Sequence, residues 1–247
     1  MTRRRIDDYG FLSDCHAAAL VDRHGSIDWW CPARFDAASV FGRLLDPDAG
    51  HWSLHPSADF EVTRRYVGAT LVITTTFVTD DGEVEVTDAL ALEPGARGHD
   101  LGRRAPHTLL RRIQGRRGTV TMTTELAPRM EYGLTAPYLT EESDGLVARG
   151  GPVTLTLTGD VALRRDGATA RATFAVAAGE TIELRLAATP SFGAEDVEAR
   201  QVPTIDDTLA AWTSWSDLHQ SYQGRHREQV QRSSLVLQGL TYKPSGA

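Results

Sequence analysis

The sequence predicts an all-β domain of antiparallel strands, a sandwich or a barrel, with a shorter helical segment behind it. Three observations carry this. Apolar and polar residues alternate with a period of two through the middle of the chain. That leaves one strand face buried and one wet, as in antiparallel sheet. Turn signals such as Asp80-Asp81-Gly82 and Asp166-Gly167 separate the alternating runs, as hairpins require. After Pro203 the apolar spacing changes to three and four, the helical period.

The elements follow in order. Asp36 to Leu45 reads as a short helix, capped by Asp36, with Val40, Phe41, Leu44 and Leu45 on one face. Asp46-Pro47-Asp48-Ala49-Gly50 stops it. In Thr70 to Val78 both faces carry apolar residues, so this strand is predicted to be central and two-sided. The Asp80-Asp81-Gly82 turn then folds it back into Val84 and Val86. Val120, Met122, Thr124 and Leu126 alternate with Thr119, Thr121, Thr123 and Glu125. The same pattern recurs at Val153, Leu155 and Leu157, at Ala172, Phe174 and Val176, and at Ile182, Leu184 and Leu186. The threonines add β-propensity on the wet face. From Asp206, Leu209, Trp212, Trp215 and Leu218 line one helix face. A second helix runs from about Arg225 to Leu240, with Val230, Ser233, Leu237 and Leu240 on one face. A helical pair cannot bury its own apolar face, so the switch from β to α reads as the opening of a second domain.

Composition narrows the function. The chain has 247 residues and a formal net charge of −7, which argues against a nucleic-acid carrier. No apolar run approaches the ~18–20 residues of a membrane span. The basic start, Arg3-Arg4-Arg5, is followed by no apolar core of a secretory signal. Cys15 and Cys31 are too few for a disulfide framework, so a cytoplasmic protein is expected. Lys243 is the only lysine. That removes a P-loop and leaves one Schiff-base candidate.

Few residues offer chemistry by spacing alone. His51 and His55 are four apart but flank a strand-like Trp52-Ser53-Leu54, so no metal site is expected. Cys15-His16 are neighbours on an extended chain and point apart, which predicts a buried free thiol. Arg103, Arg104, Arg111, Arg112, Arg116 and Arg117 read as a solvated or acid-paired face. The acidic pairs sit in turns or caps and do not face each other across a cleft, as glycosidase carboxylates must. The densest segment is His24 to Asp36. Trp30, Arg34, Phe35 and Asp36 there are candidates for a sugar-binding rim or a domain interface, with Arg and Asp supplying bidentate hydrogen bonds. The structural alternative places Trp29 in the core, Trp30 under a loop or neighbouring domain, and Arg34 and Asp36 in a local ion pair.

A family resemblance adds to this. Asp8-Tyr9-Gly10-Phe11-Leu12-Ser13-Asp14-Cys15, Gly25-Ser26-Ile27-Asp28-Trp29 and Pro32-Ala33-Arg34-Phe35-Asp36 resemble the opening of bacterial trehalase-like and glucoamylase-like proteins of glycoside hydrolase family 15. Phe41 to Asp46, Gly50-His51-Trp52, Thr63 to Tyr66, Pro128 to Gly133, Trp212 to Trp215 and Val230 to Leu237 follow in the same order. Ala33 and the Met130-Glu131 pair depart from the family pattern. The resemblance implies an antiparallel β-sandwich of the super-β-sandwich type, then a linker helix, then an (α/α)6 barrel. In these terms residues 1–203 form the sandwich, 204–218 the helical linker and 219–247 the start of a truncated barrel.

It further implies hydrolysis of α-glucosidic bonds, in trehalose or maltooligosaccharides, with inversion by two barrel carboxyls. Those carboxyls lie beyond this chain. The expected partners are therefore its own catalytic barrel and an α-glucoside substrate, with no nucleic acid, no membrane, no cofactor and no metal. The fragment alone is expected to be inactive. A stand-alone carbohydrate-binding β-sandwich is the competing reading, and a functionless relict the third.

Overall fold

The computed structural model describes residues 5–143, 145–192, 201–219 and 221–247. Among these residues fourteen strands form one antiparallel system. They are β1 (Tyr9–Ser13), β2 (Ala18–Asp22), β3 (Ser26–Trp30), β4 (His51–Pro56), β5 (Glu61–Tyr66), β6 (Ile73–Thr79) and β7 (Gly82–Leu90). Then come β8 (Thr108–Ala127), β9 (Tyr138–Glu142), β10 (Gly145–Arg149), β11 (Val153–Gly159), β12 (Arg164–Asp166), β13 (Thr169–Ala177) and β14 (Thr181–Pro190). Helices α1 (Ile205–Leu218) and α2 (Arg227–Leu240) follow.

The long strand β8 belongs to two sheets. Its first half pairs with β7 and β14, and its second half with β4 and β13. One layer therefore runs β1-β2-β3-β4-β8-β13-β12, and the other β5-β6-β7-β8-β14-β11-β10-β9. The crossing from one to the other falls at Gly115 to Gly118. A Cβ on Gly115 would lie 2.0 Å from the Ala177 carbonyl oxygen, and Gly118 has φ +63° beside the Asp81 carbonyl. Glycine permits both the close approach and the left-handed turn.

The core lies between the layers. Leu12, Val21, Ile27, Trp30, Trp52 and Leu54 of the first layer meet Phe77, Val86, Leu109, Ile113, Leu155, Leu184 and Leu186 of the second. The alternation places them there: Val120, Met122, Thr124 and Leu126 are buried, while Thr119 and Thr121 are exposed. Strand β6 is internal between β5 and β7 and buries residues on both faces, as its composition predicts.

Two expectations are corrected. Asp36 to Leu45 is not a helix. Trp30 N–H donates to the Phe41 carbonyl and Val40 N–H to the Trp30 carbonyl, so this stretch pairs with the end of β3. Extended pairing buries Val40 and Phe41 and leaves Leu45 70% exposed. Tertiary pairing has overridden a weak local propensity.

On α2 the face of Val230, Leu237 and Leu240 is not the packed one. Leu235 and Gly239 are buried instead, with Gly239 against Leu71, Phe11 and Ser13. Ser13 Oγ donates to the Gly239 carbonyl at 2.6 Å, an approach that a side chain at 239 would block.

Helix α1 lies on the outer face of the second layer. Trp212 and Trp215 pack with Ala89, Leu92 and Leu110 in a second apolar cluster. A capping box starts the helix: Asp207 N–H donates to Thr204 Oγ1, and the Asp207 carboxylate accepts from Thr204 N–H. Thr208 Oγ1 accepts from Leu92 N–H, and Arg112 bridges Glu183 and Asp206. Burial of the two tryptophans is the main force holding α1, at roughly 3–5 kcal/mol each by the cost of truncating such a side chain.

Candidate functional site

Of the four rim candidates, Trp30 is fully buried against Phe41 and reaches no surface. Its neighbour Trp29 is the half-buried one, 6.3 Å from the Tyr132 ring. Arg34, Phe35 and Asp36 lie on the loop after β3. The Arg34 guanidinium donates to both Asp36 carboxylate oxygens, at 2.7 and 3.1 Å. This pairing holds the Asp36 carboxyl below the usual aspartate range, while both side chains stay mostly exposed.

The structure brings this loop to the end of the chain. Arg34 stacks 4.9 Å over the Tyr242 ring, and Phe35 meets the same ring edge-on at 6.4 Å. On its other side Tyr242 contacts His16 at 5.5 Å, and His16 contacts His107 at 5.6 Å. One His16 ring nitrogen lies 2.8 Å from the Gly102 carbonyl. Beneath them Asp14, fully buried, accepts from the N–H groups of His16 and Ala17 through Oδ1. Its Oδ2 lies 3.7 Å from His107 Nδ1, and among the described residues neither atom has a hydrogen-bond partner.

Three of the five non-glycine residues with positive φ among the described residues lie here. Cys15, Ala33 and His107 have φ of 64°, 72° and 50°, in the left-handed region that costs a non-glycine residue about 1–3 kcal/mol. Such strain concentrates at sites where function over-determines geometry. The cluster offers imidazoles, a guanidinium–carboxylate pair and a phenol ring, all suited to hydrogen-bonding and stacking on hydroxylated ligands.

Sequence spacing does not reveal this cluster. His16, His107 and Tyr242 are far apart in the chain, and only His16 stands out by spacing, as the neighbour of Cys15 in a candidate dyad. That dyad is inert. Burial, with help from Asp14, pushes the Cys15 thiol up to about 12, and burial alone takes Cys31 to about 11. His51 and His55 sit on β4, and among the described residues no group of three or more His, Cys, Asp or Glu is placed to hold a metal.

Five of the six arginines of the 103–117 cluster are acid-paired. Arg112 pairs with Glu183 and Asp206, Arg116 with Glu85, Arg104 with Glu93 and Arg103 with Asp100. Arg111 differs from the solvated reading: it is buried, against Asp88. No helix among the described residues is long and apolar enough to cross a membrane.

The chain is similar to curated trehalases. The trehalase from Mycolicibacterium smegmatis is 32% identical over 263 residues, covering 98% of this chain and 39% of its own length. The trehalase from Mycobacterium tuberculosis is also 32% identical over 263 residues, covering 98% of this chain and 38% of its own length. The chain thus spans about two fifths of the curated relatives it matches. A putative kojibiose phosphorylase from the human microbiome aligns with a TM-score of 0.42 at 10% identity, over 92% of this chain and 35% of that chain. The family model described as trehalase-like, N-terminal, matches residues 2–215. With most of its length matched, the chain belongs to the family of trehalase-like N-terminal domains.

Proposed function

We propose that this chain is the non-catalytic N-terminal domain of an α-glucoside hydrolase of glycoside hydrolase family 15, acting on trehalose or maltooligosaccharides in the cytoplasm. The observation that carries the reading is the side of α2 that stays exposed among the described residues. Val230, Leu237 and Leu240 are 40%, 67% and 52% exposed on the side away from Leu235 and Gly239. A helix that packs on one side and is apolar on the other is built to lie between two bodies. The matched trehalases carry more than half their length beyond the matched part. That length supports a catalytic barrel as the second body, with α2 as its first helix.

In this reading the loop of Arg34, Phe35 and Asp36 joins His16, His107 and Tyr242 in completing the rim of the barrel's active site. Trp30 supports the loop from below. Arg34 and Asp36 orient sugar hydroxyls by hydrogen bonds. Inverting hydrolysis uses a general acid and a general base about 6.5–9.5 Å apart with a water between, and both belong to the barrel. The domain's task is to fix the rim and keep bulk water from the bound sugar.

Glucose release from trehalose and maltooligosaccharides tests this, with the 247-residue chain assayed beside the longer protein. The expected outcome is turnover by the longer protein alone. Turnover by the 247-residue chain would overturn the non-catalytic reading.

A further inference from the structure

The outward face of the first layer carries a second candidate site, which shares no lining residue with the Tyr242 cluster, α1 or α2. It is an open cleft of about 580 Å³, within the roughly 300–1,000 Å³ of small-molecule sites. Its floor is built by strand alternation. His51 and His55 of β4, Glu125 of β8 and Arg171 of β13 all face outward, because Trp52, Leu54 and Leu126 face the core. Arg43 closes one side. Phe60, half-buried and edge-on to Phe77 at 5.0 Å, closes another with His24 and His55 beside its ring.

The chemistry of the lining selects a class of ligand. Its cations already face acids. Arg43 lies 3.8 Å from Asp28 and also contacts His51, and His51 lies 3.1 Å from Glu125. Arg171 reaches Glu125 at 2.5 Å and Asp166 at 2.7 Å, and His24 lies 3.7 Å from Asp22. An anion entering here would have to compete with carboxylates already in place. A neutral polyol would not. Its hydroxyls both donate and accept, so they bridge fixed guanidinium–carboxylate pairs without separating them. A pyranose also presents an apolar face to an aromatic ring, which Phe60 supplies.

We propose that this cleft binds a neutral saccharide at a site separate from the rim. That the saccharide is an α-glucoside rests on the proposed function; the preference for a neutral ligand over an anion does not. The site would hold a sugar chain or a second sugar on the domain.

The test is calorimetric titration of the 247-residue chain with maltose, trehalose and inorganic phosphate, using Arg171→Ala and Ser53→Trp. Arg171 is half exposed, so its removal leaves the core untouched. Ser53→Trp fills the cleft from β4. The expected result is binding of at least one of the two sugars, weakened tenfold or more in both variants, with no competition from phosphate. Three results would overturn the proposal: no binding of either sugar at tens of millimolar, sugar binding unchanged in Arg171→Ala, or displacement of the sugar by phosphate. Should Ser53→Trp fail to fold, Arg171→Ala decides alone. None of these outcomes bears on glucose release by the longer protein, so the cleft can fail while the domain's proposed role stands.

Discussion

Arg111 of β8 and Asp88 of β7 face each other in register and form a fully buried, two-pronged ion pair in the middle of the sandwich, at 2.8 and 3.3 Å. Arg111 also donates to the carbonyls of Trp52 and Gly25 and stacks 5.0 Å from the Trp52 ring. One guanidinium thus ties both layers together. Removing one member of such a pair strands a buried charge and costs about 3–5 kcal/mol. We expect Arg111→Met to lose about that much, measured as a lower urea midpoint. Arg111→Met with Asp88→Leu should recover part of it, because no charge is then left unpaired. A single variant as stable as the parent would refute the charge argument.

The contact of Arg112 with Asp206 gives a pH prediction. The Arg112 hydrogen bonds, more than its charge, hold the Asp206 carboxyl below the ordinary aspartate value. A lowered folded-state value means stability that is present above the unfolded value, ~3.9, and lost as pH falls through the folded one. Docking of α1 should therefore loosen only in acid, below about pH 4. Fluorescence of Trp212 and Trp215 against pH would report it. Asp206→Asn should flatten that acid transition and leave the neutral-pH signal nearly unchanged, since Asp206 is largely exposed.

The exposed side of α2 separates stability from assembly. Leu237→Glu and Leu240→Glu change exposed positions, so unfolding of the 247-residue chain should shift by no more than about 0.5 kcal/mol. In the longer protein the same changes would place charge in an apolar contact, and activity should fall at least tenfold. Leu235→Ala, on the buried side, should do the reverse. It costs the short chain about 2–5 kcal/mol. If Leu237→Glu leaves the longer protein fully active, that helix face is not an interface.

Legibility in the sequence follows from how local each cause is. The second half of β8, β11, β13 and β14 read directly, since each strand has one wet face and one dry face throughout. Parity failed at Trp29 and Trp30. Alternation separates the two rings, but which one faces inward depends on pairing with β2 and on Phe41. Arg111 sits in step with Leu109 and Ile113, so its position says buried while its charge says exposed. Asp88, far away in sequence, decides the matter. The helix expected over Asp36 to Leu45 had a plausible cap, yet the cap residue is paired with Arg34 instead. The cluster of His16, His107 and Tyr242 left no spacing signal at all. Three separate loops and chain ends meet there only in the folded state.

The proposed rim makes the last prediction. Arg34 and Asp36 are exposed, pair with each other and lean on Tyr242. If they orient substrate hydroxyls, Arg34→Ala and Asp36→Ala in the longer protein should raise KM severalfold. An interaction lost equally from ground and transition states would leave kcat unchanged. Melting temperature should stay within a degree or two, because the pair is exposed and screened by solvent. Trp30→Ala must behave differently, since it opens a cavity under the same loop and should cost about 3–5 kcal/mol. Tyr242→Ala tests the coupling. It frees the Arg34 loop without touching the core, so a rim role predicts a KM effect resembling that of Arg34→Ala. Unaltered steady-state kinetics in both Arg34→Ala and Tyr242→Ala would leave this loop a structural feature of the sandwich and no part of the substrate path.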